Sequence, residues 1–289
     1  MAGRSDRRFI VAAIGEACGL AARAISTAGA LAFQDVGGDN GAMRYLELTL
    51  PTPEENLALD EALLDEAEAA PAPLETLRVW ESPEMLVVAG RSSRLEGEVD
   101  LTACRQRGIA VVRRPSGGAA VLLGPGCLMY SLVLSHELRP QVRRVDAAHR
   151  YVLGKTAAAL SELVSGVACA GTSDLILARG SPSSPELLKC SGNSARVKRR
   201  HLLYHGTLLY DFPLGEVAHC LPMPPRMPDY RAGRAHSRFL ANLPLDRKTL
   251  CELLRRAWSA REPVVEWPQA RTADLACGKY RQAAWTQYR

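Results

Sequence analysis

Residues Leu187–Leu209 read LLKCSGNSARVKRRHLLYHGTLL, a lysine and a short polar run leading into an apolar, strand-like segment. The upstream segment DLILA (174–178) and the downstream HLLYHGTLLYD (201–211) both read as strands, so a turn is expected between them. Lys189 would enter that turn as a compact point charge able to approach a phosphate or a carbonyl oxygen. Ser191, Gly192 and Ser194 can hydrogen-bond locally or to a ligand. Two readings stay open from this stretch alone. It is either a surface hairpin with solvated charges, or a place where negative charge is held.

Working outward, MRYLELTL (43–50) alternates as a strand, and ENLALDEALLDEAEAA (55–70) places Leu57, Leu59, Leu63 and Leu64 near one side of a helix, with acids on the other. TLRVWES, EMLVVAGR, IAVVRR and CLMYSLVLS read as further strands. Helices are expected over EVDLTACRQRG (98–108), VDAAHRYVLGKTAAALSELVSG (145–166) and PLDRKTLCELLRRAWSA (244–260). Segment RGSPSSPE (179–186) reads as a Ser/Pro-rich loop. Strands outnumber helices and arrive in hairpin-like pairs. The expected fold class is therefore α+β, a mixed, largely antiparallel sheet flanked by helices.

The 289 residues suffice for one large domain, or one domain with an appendage. Residues 1–42, Ala-rich and then Gly-rich, are expected to be a disordered extension, with Met43 as an alternative start. The folded domain is expected over 43–262, followed by a short C-terminal tail over 263–289. Hydrophobic content of 47% with 23% charged residues excludes a disordered chain, and a net charge of +5 is too small to point to nucleic acid. The eight cysteines form no C-x-x-C pair, which argues against a zinc site or a disulfide framework and for a reducing compartment. No metal site is expected. No run approaches the roughly 18 apolar residues of a membrane span, so the expected location is the cytoplasm.

Two more segments carry chemistry. RRPSGGAAVLLGPG (113–126) ends a strand in two arginines and turns at once through Pro-Ser-Gly-Gly. Adjacent glycines let backbone N–H groups approach a bound group, and Arg113 or Arg114 could pair with a carboxylate or phosphate through its planar fork. A tight β-turn with solvated arginines would leave the same composition. Asp174 enters an apolar strand, as a turn residue or as the partner of a lysine. His205, before Gly206 and Thr207, could donate to an anion or sit satisfied in a sheet. Arg196, Lys198, Arg199 and Arg200 read as an exposed basic loop.

In this order, NLALDEALL, VVAGRSS, RRPSGGAAV, SDLIL, KCSGNSARVKR and HGTLLYDF resemble the biotin/lipoate protein ligase family, lipoate–protein ligases most closely, from about Arg44 to Ala260. The resemblance implies a catalytic domain related to biotin synthetases and class II aminoacyl-tRNA synthetases. It implies an acyl-adenylate made from ATP, with Mg2+, and lipoate or octanoate, then attack by a lysine of a lipoyl-carrier domain. Such carriers belong to 2-oxoacid dehydrogenase or glycine cleavage proteins. By the same resemblance, Lys189 is the catalytic lysine, and Arg114, Ser116, Gly117, Gly118, Ala119 and Val121 form one wall. Asp174, Ser191, Gly192, Ser194, Arg196 and His205-Gly206-Thr207 line the rest. The family's third glycine is Ala119 here, and its usual histidine is Leu123. Many single-chain ligases of the family carry an accessory domain that the stretch after the last expected helix is too short to form, so a separate accessory subunit is one expectation of the ligase reading. Two alternatives remain: an ATP-independent octanoyl or lipoyl transferase working through a thioester on Cys169, and a non-catalytic protein that binds the ligand or the carrier.

Overall fold

The computed structural model describes residues 43–181 and 183–287; the expected N-terminal extension lies outside them. Strand β1 (Met43–Glu47) leads into helix α1 (Pro53–Ala69), whose start follows from the sequence TPEE. The Thr52 side chain accepts from the Glu55 amide, the Glu55 carboxylate accepts from the Thr52 amide, and Pro53 sits where no backbone donor is needed. Then come β2 (Thr76–Trp80), β3 (Leu86–Ala89), α2 (Leu101–Gln106), β4 (Ala110–Arg113), β5 (Val121–Leu123) and β6 (Cys127–Ser135). Helix α3 (Val145–Ser161) precedes β7 (Val167–Ala170), β8 (Asp174–Ser181), β9 (Ser184–Val197) and β10 (His201–Leu209). Helix α4 (Arg247–Ala257), β11 (Ala260–Pro263) and α5 (Gln269–Leu275) complete the main elements.

Eight strands form one sheet in the order β11-β1-β2-β6-β10-β9-β8-β7, and β4-β3-β5 form a second. Pairing is parallel among β11, β1 and β2 and antiparallel from β2 to β7, the mixed α+β architecture expected. One core cluster joins the large sheet to α3 and α4, and another joins α1, the small sheet and the C-terminal residues Leu275, Ala276 and Tyr280.

The loop expected over 179–186 is instead the end of a hairpin, strand through Ser181 and again from Ser184, with Arg179 opposite Glu186. Three further expectations change. The turn expected at Ser-Gly-Asn-Ser is instead part of the 14-residue strand β9. Up to Gly192, β9 pairs with β8; from Asn193 onward it pairs with β10. Register slips at the joint, with Leu175 opposite Ser191 and Ile176 opposite Lys189, so Cys190 is the extra residue of a bulge. Sheet partners on successive sides outweigh the turn preference of short polar residues. Secondly, α1 does not keep its acids on the solvent side. Asp60 and Glu61 are only 2% and 5% exposed, and Asp60 pairs at 2.6 Å with Arg78, which is fully buried. Thirdly, the basic loop is largely tied down. Lys198 pairs with Asp65, and Arg200 donates to the Ala70 carbonyl at 2.6 Å, while Arg199 stays exposed.

The C-terminal tail through Gln287 packs on this frame. Lys279 Nζ and Tyr280 Oη donate to Glu61 at 2.6 and 2.5 Å. Trp285 Nε1 donates to the Arg113 carbonyl at 2.9 Å, and Arg113 Nε donates to the Thr286 carbonyl at 3.0 Å. The tail thereby holds the strand end from which the Pro-Ser-Gly-Gly turn departs.

Candidate active site

A cleft of about 260 Å³ opens where β9 leaves β8 for β10. At such a joint neither neighbour continues alongside, so side chains and backbone groups face open space. Lys189 Nζ lies there, 2.8 Å from Asp174 Oδ1, its side chain 25% exposed. Tyr230 Oη donates to Asp174 Oδ2 at 2.7 Å. The lysine packs against Gly192 so closely that a Cβ there would sit 2.9 Å from Nζ. A side chain there would push the flexible end of the lysine aside. Asn193 ties the joint, accepting from Tyr130 Oη at 2.6 Å and donating to the Ser173 carbonyl at 2.9 Å.

The opposite wall is the Pro-Ser-Gly-Gly turn. Arg114 donates to the carbonyls of Val88, Gly117 and Ala119, and burial pushes its guanidinium down to about 10. Arg113 donates to the Gly90 and Ser93 carbonyls. Both arginines thus shape the turn through backbone oxygens. Gly118 has φ +88°, and a Cβ on it would approach Arg114 Nη2 to 2.9 Å. The described non-glycine residues with positive φ are Ala232 and Ser259, so Ala119 in place of the family's third glycine carries no left-handed strain. Leu123, in place of the usual histidine, is 4% exposed and packs in the core beside the cleft.

Of the residues singled out as site candidates in the sequence, the cleft walls take in all but Arg113, Ser116, Gly117, Arg196 and Cys169. Ser116 is buried behind the wall, its Oγ 2.5 Å from His205 Nε2. Gly117 turns its carbonyl to Ser194 Oγ at 2.9 Å, and Arg196 donates to the Pro115 carbonyl at 3.2 Å. Cys169 is exposed on β7, and burial of its thiol raises the pKa. Cys190, buried, is pushed up to about 12 by burial. A thiol with a raised pKa is a poor nucleophile at neutral pH.

Sequence reasoning passed over Asp60, Glu98, Tyr130 and Tyr230, all of which reach the site or hold its residues. Asp60 and Glu98 lay among helix acids with no local signal to separate them from solvated ones. The remaining lining is largely apolar, with Leu57, Trp80, Met129, Leu209, Phe212 and Phe239, but also carries Arg226, Arg231 and His236. A cavity with one ion-paired lysine, a glycine turn and an apolar wall suits a ligand with an anionic head and a hydrocarbon body. No group of three or more His, Cys, Asp or Glu side chains is placed to hold a metal among the described residues. No described helix is long and apolar enough to cross a membrane.

An Octanoyltransferase LipM from Symbiobacterium thermophilum is 30% identical over 243 residues, covering 78% of this chain and 81% of that protein. An Aeropyrum pernix protein provisionally named lipoate-protein ligase A is 32% identical over 165 residues. That alignment covers 57% of this chain and 56% of the relative, so the chain spans about half of that relative's length. A bi-partite lipoate protein ligase from Thermoplasma acidophilum has the same fold, with a TM-score of 0.71 at 22% identity over 85% of this chain and 96% of that one. The model of the lipoyl protein ligase A/B catalytic domain matches residues 52–243, and the chain belongs to that family.

Proposed function

We propose that the protein attaches a lipoyl or octanoyl group to a lysine of a carrier domain, and that it activates the free acid with ATP. The observation that carries this reading is Lys189, held 2.8 Å from Asp174 in a cleft whose remaining lining is largely apolar. The apolar wall would take the acyl chain. The acid's carboxylate oxygen attacks the α-phosphorus of ATP, and pyrophosphate leaves. The carrier lysine's amine then attacks the acyl carbon and AMP leaves. Negative charge grows on the phosphate as each bond breaks, and a fixed ammonium stabilises it most at that point.

The residues present fit a nucleotide with its own Mg2+ better than a resident metal. Mg2+ is commonly held by one or two carboxylates plus substrate phosphates. Of the cleft acids, Asp60 is engaged by Arg78 and Ser131, and Glu98 accepts from the Ala120 amide. Asp174 is likewise engaged, by Lys189 and Tyr230, so an ion arriving with the nucleotide would have to displace a partner from whichever acid it meets. Lipoyl-carrier domains are the acceptor in this reading, supported by the Thermoplasma ligase, which was solved as a system with its E2 lipoyl domain. A separate accessory subunit and a cytoplasmic location belong to the same proposal.

A second reading follows from the relatives named octanoyltransferase, one of them aligned over 78% of the chain. There an octanoyl group would pass through a thioester on Cys169 without ATP. The position of Cys169 outside the cleft walls and its raised thiol pKa weigh against it. Mass spectrometry of an apo carrier domain separates the two readings. Acylation from free octanoate or lipoate that requires ATP supports the ligase. Acylation from an octanoyl-carrier donor without ATP, abolished in Cys169→Ala, supports the transferase. A carrier that stays unmodified in every arm, with or without an accessory subunit, overturns both.

A further inference from the structure

Asp60 lies in the NLALDEALL segment without a role assigned to it there, yet its carboxylate is the root of a chain of polar contacts that ends on the glycine turn. Asp60 Oδ1 accepts from Arg78 Nη1 at 2.6 Å and from Ser131 Oγ at 2.8 Å. Burial raises its pKa, but Arg78 and then His205 outweigh burial and hold the carboxyl below its ordinary value. An ionised carboxylate only accepts. His205 Nδ1 lies 3.6 Å from Asp60 Oδ2, too long for a hydrogen bond but close enough for the carboxylate's field to favour the ring proton on this nitrogen. Nε2 is then a bare acceptor, 2.5 Å from Ser116 Oγ. Ser116 Oγ already accepts from Arg114 Nε at 3.2 Å, which leaves its own hydrogen for His205. The opposite tautomer would turn a nitrogen lone pair toward a carboxylate.

We propose that Asp60 is a positioning residue that locks His205 in its Nδ1–H tautomer, so that Nε2 holds the Ser116 hydroxyl and fixes the Ser116–Gly118 turn against the acyl ligand. The proposal rests on the reading of the cleft as an acyl site. Ser116 is 2% exposed and does not line the cleft itself. Its effect passes to Gly118 and Ala119, which do, through a turn whose Gly117 carbonyl is held by Arg114 and Ser194. The order hydroxyl, imidazole, carboxylate is the arrangement in which a carboxylate sets the tautomer of a working histidine.

The test is nitrogen-15 NMR of the histidine rings in the full chain, with amide exchange of the turn and steady-state kinetics beside it. In the unaltered protein His205 should be the Nδ1–H tautomer. Asp60→Asn can donate to Nδ1 and should switch the ring to Nε2–H. The Gly117 and Gly118 amides should then exchange about tenfold faster, as for loss of one net hydrogen bond. KM for octanoate or lipoate should rise by a similar factor with kcat within about threefold, the mark of lost ground-state fit. An unchanged tautomer, or a switched tautomer with unchanged turn exchange and KM, overturns the proposal. If Asp60→Asn fails to fold because Arg78 loses its charge partner, Ser116→Ala leaves that pair intact. It should raise exchange and KM alike, and unchanged exchange overturns the idea there too. A protein that acylates no carrier under any condition sinks the function proposed above, while the NMR and exchange readings still decide the relay.

Discussion

Basic residues stand at both ends of the Lys189–Arg200 stretch, and the two ends meet opposite fates. Lys189 reaches an acid inside an open cleft, with Gly192 cleared away beside it. Lys198 and Arg200 reach acids and carbonyls of α1 and fasten β9 and β10 to that helix. Both ends are ion-paired lysines or arginines of similar exposure, 25% for Lys189 and 27% for Lys198. What separates them is the surroundings: one pair borders a ligand-sized cavity, the other bridges two packed elements. An ion pair alone is therefore poor evidence of a functional site.

That difference can be broken experimentally. Lys189→Ala should leave the fold intact and lower the acylation rate on the order of 10²-fold or more, as for a preorganised charge donor. Thermal unfolding beside a kcat/KM measurement checks this, and an unchanged kcat/KM would make Lys189 no different from Lys198. Asp174→Asn should cost about tenfold in rate, because the lysine keeps its charge but loses a charged anchor. A variant that loses all activity at an unchanged melting temperature would give the acid a larger role, such as holding the metal ion of a nucleotide.

At the other end, Lys198→Ala should destabilise the protein by at most about 1 kcal/mol and leave kcat/KM unchanged, the range for a partly exposed ion pair. Asp65 gives the same end a pH signature. Burial raises its pKa, but hydrogen bonds from Lys198 and Arg271 outweigh that and hold it below the ordinary aspartate value. Its contribution is full above about pH 4 and disappears as pH falls through the lowered folded value. Denaturant midpoints of the unaltered protein and Lys198→Ala should therefore converge in acid; a gap that widens on acidification would refute this. The smallest effect belongs to Cys169→Ala, whose ATP-dependent acylation should match that of the unaltered protein within error. A complete loss would shift the chemistry to the thioester.

Much of this was legible in the sequence. The capping box Thr52–Glu55, the leucine spacing of α1 and the alternating strands depend on residues close in the chain, and they formed where local pattern placed them. Lys189 and Asp174 were both marked as candidates, and they meet at 2.8 Å. Asp60 and Glu61 were not, because a helix acid between leucines looks the same whether it faces water or a buried arginine. The partners that bury them, Arg78 and Lys279, lie 18 and 218 residues away in sequence.

The sequence by itself determined most of the inventory: the capped helix α1, most of the strands, where backbone can turn tightly, and which charged groups are at hand. Those follow from side-chain size, branching and spacing over a few residues. Tertiary structure alone decided the pairings. The polar run after Lys189 became a joint between two strands instead of a turn because β8 and β10 were both there to pair with it. The C-terminal tail came to hold Arg113 because Trp285 and Thr286 reach the end of β4. Such contacts join residues distant in the chain, and they exist only once the sheet and α1 have brought those residues together.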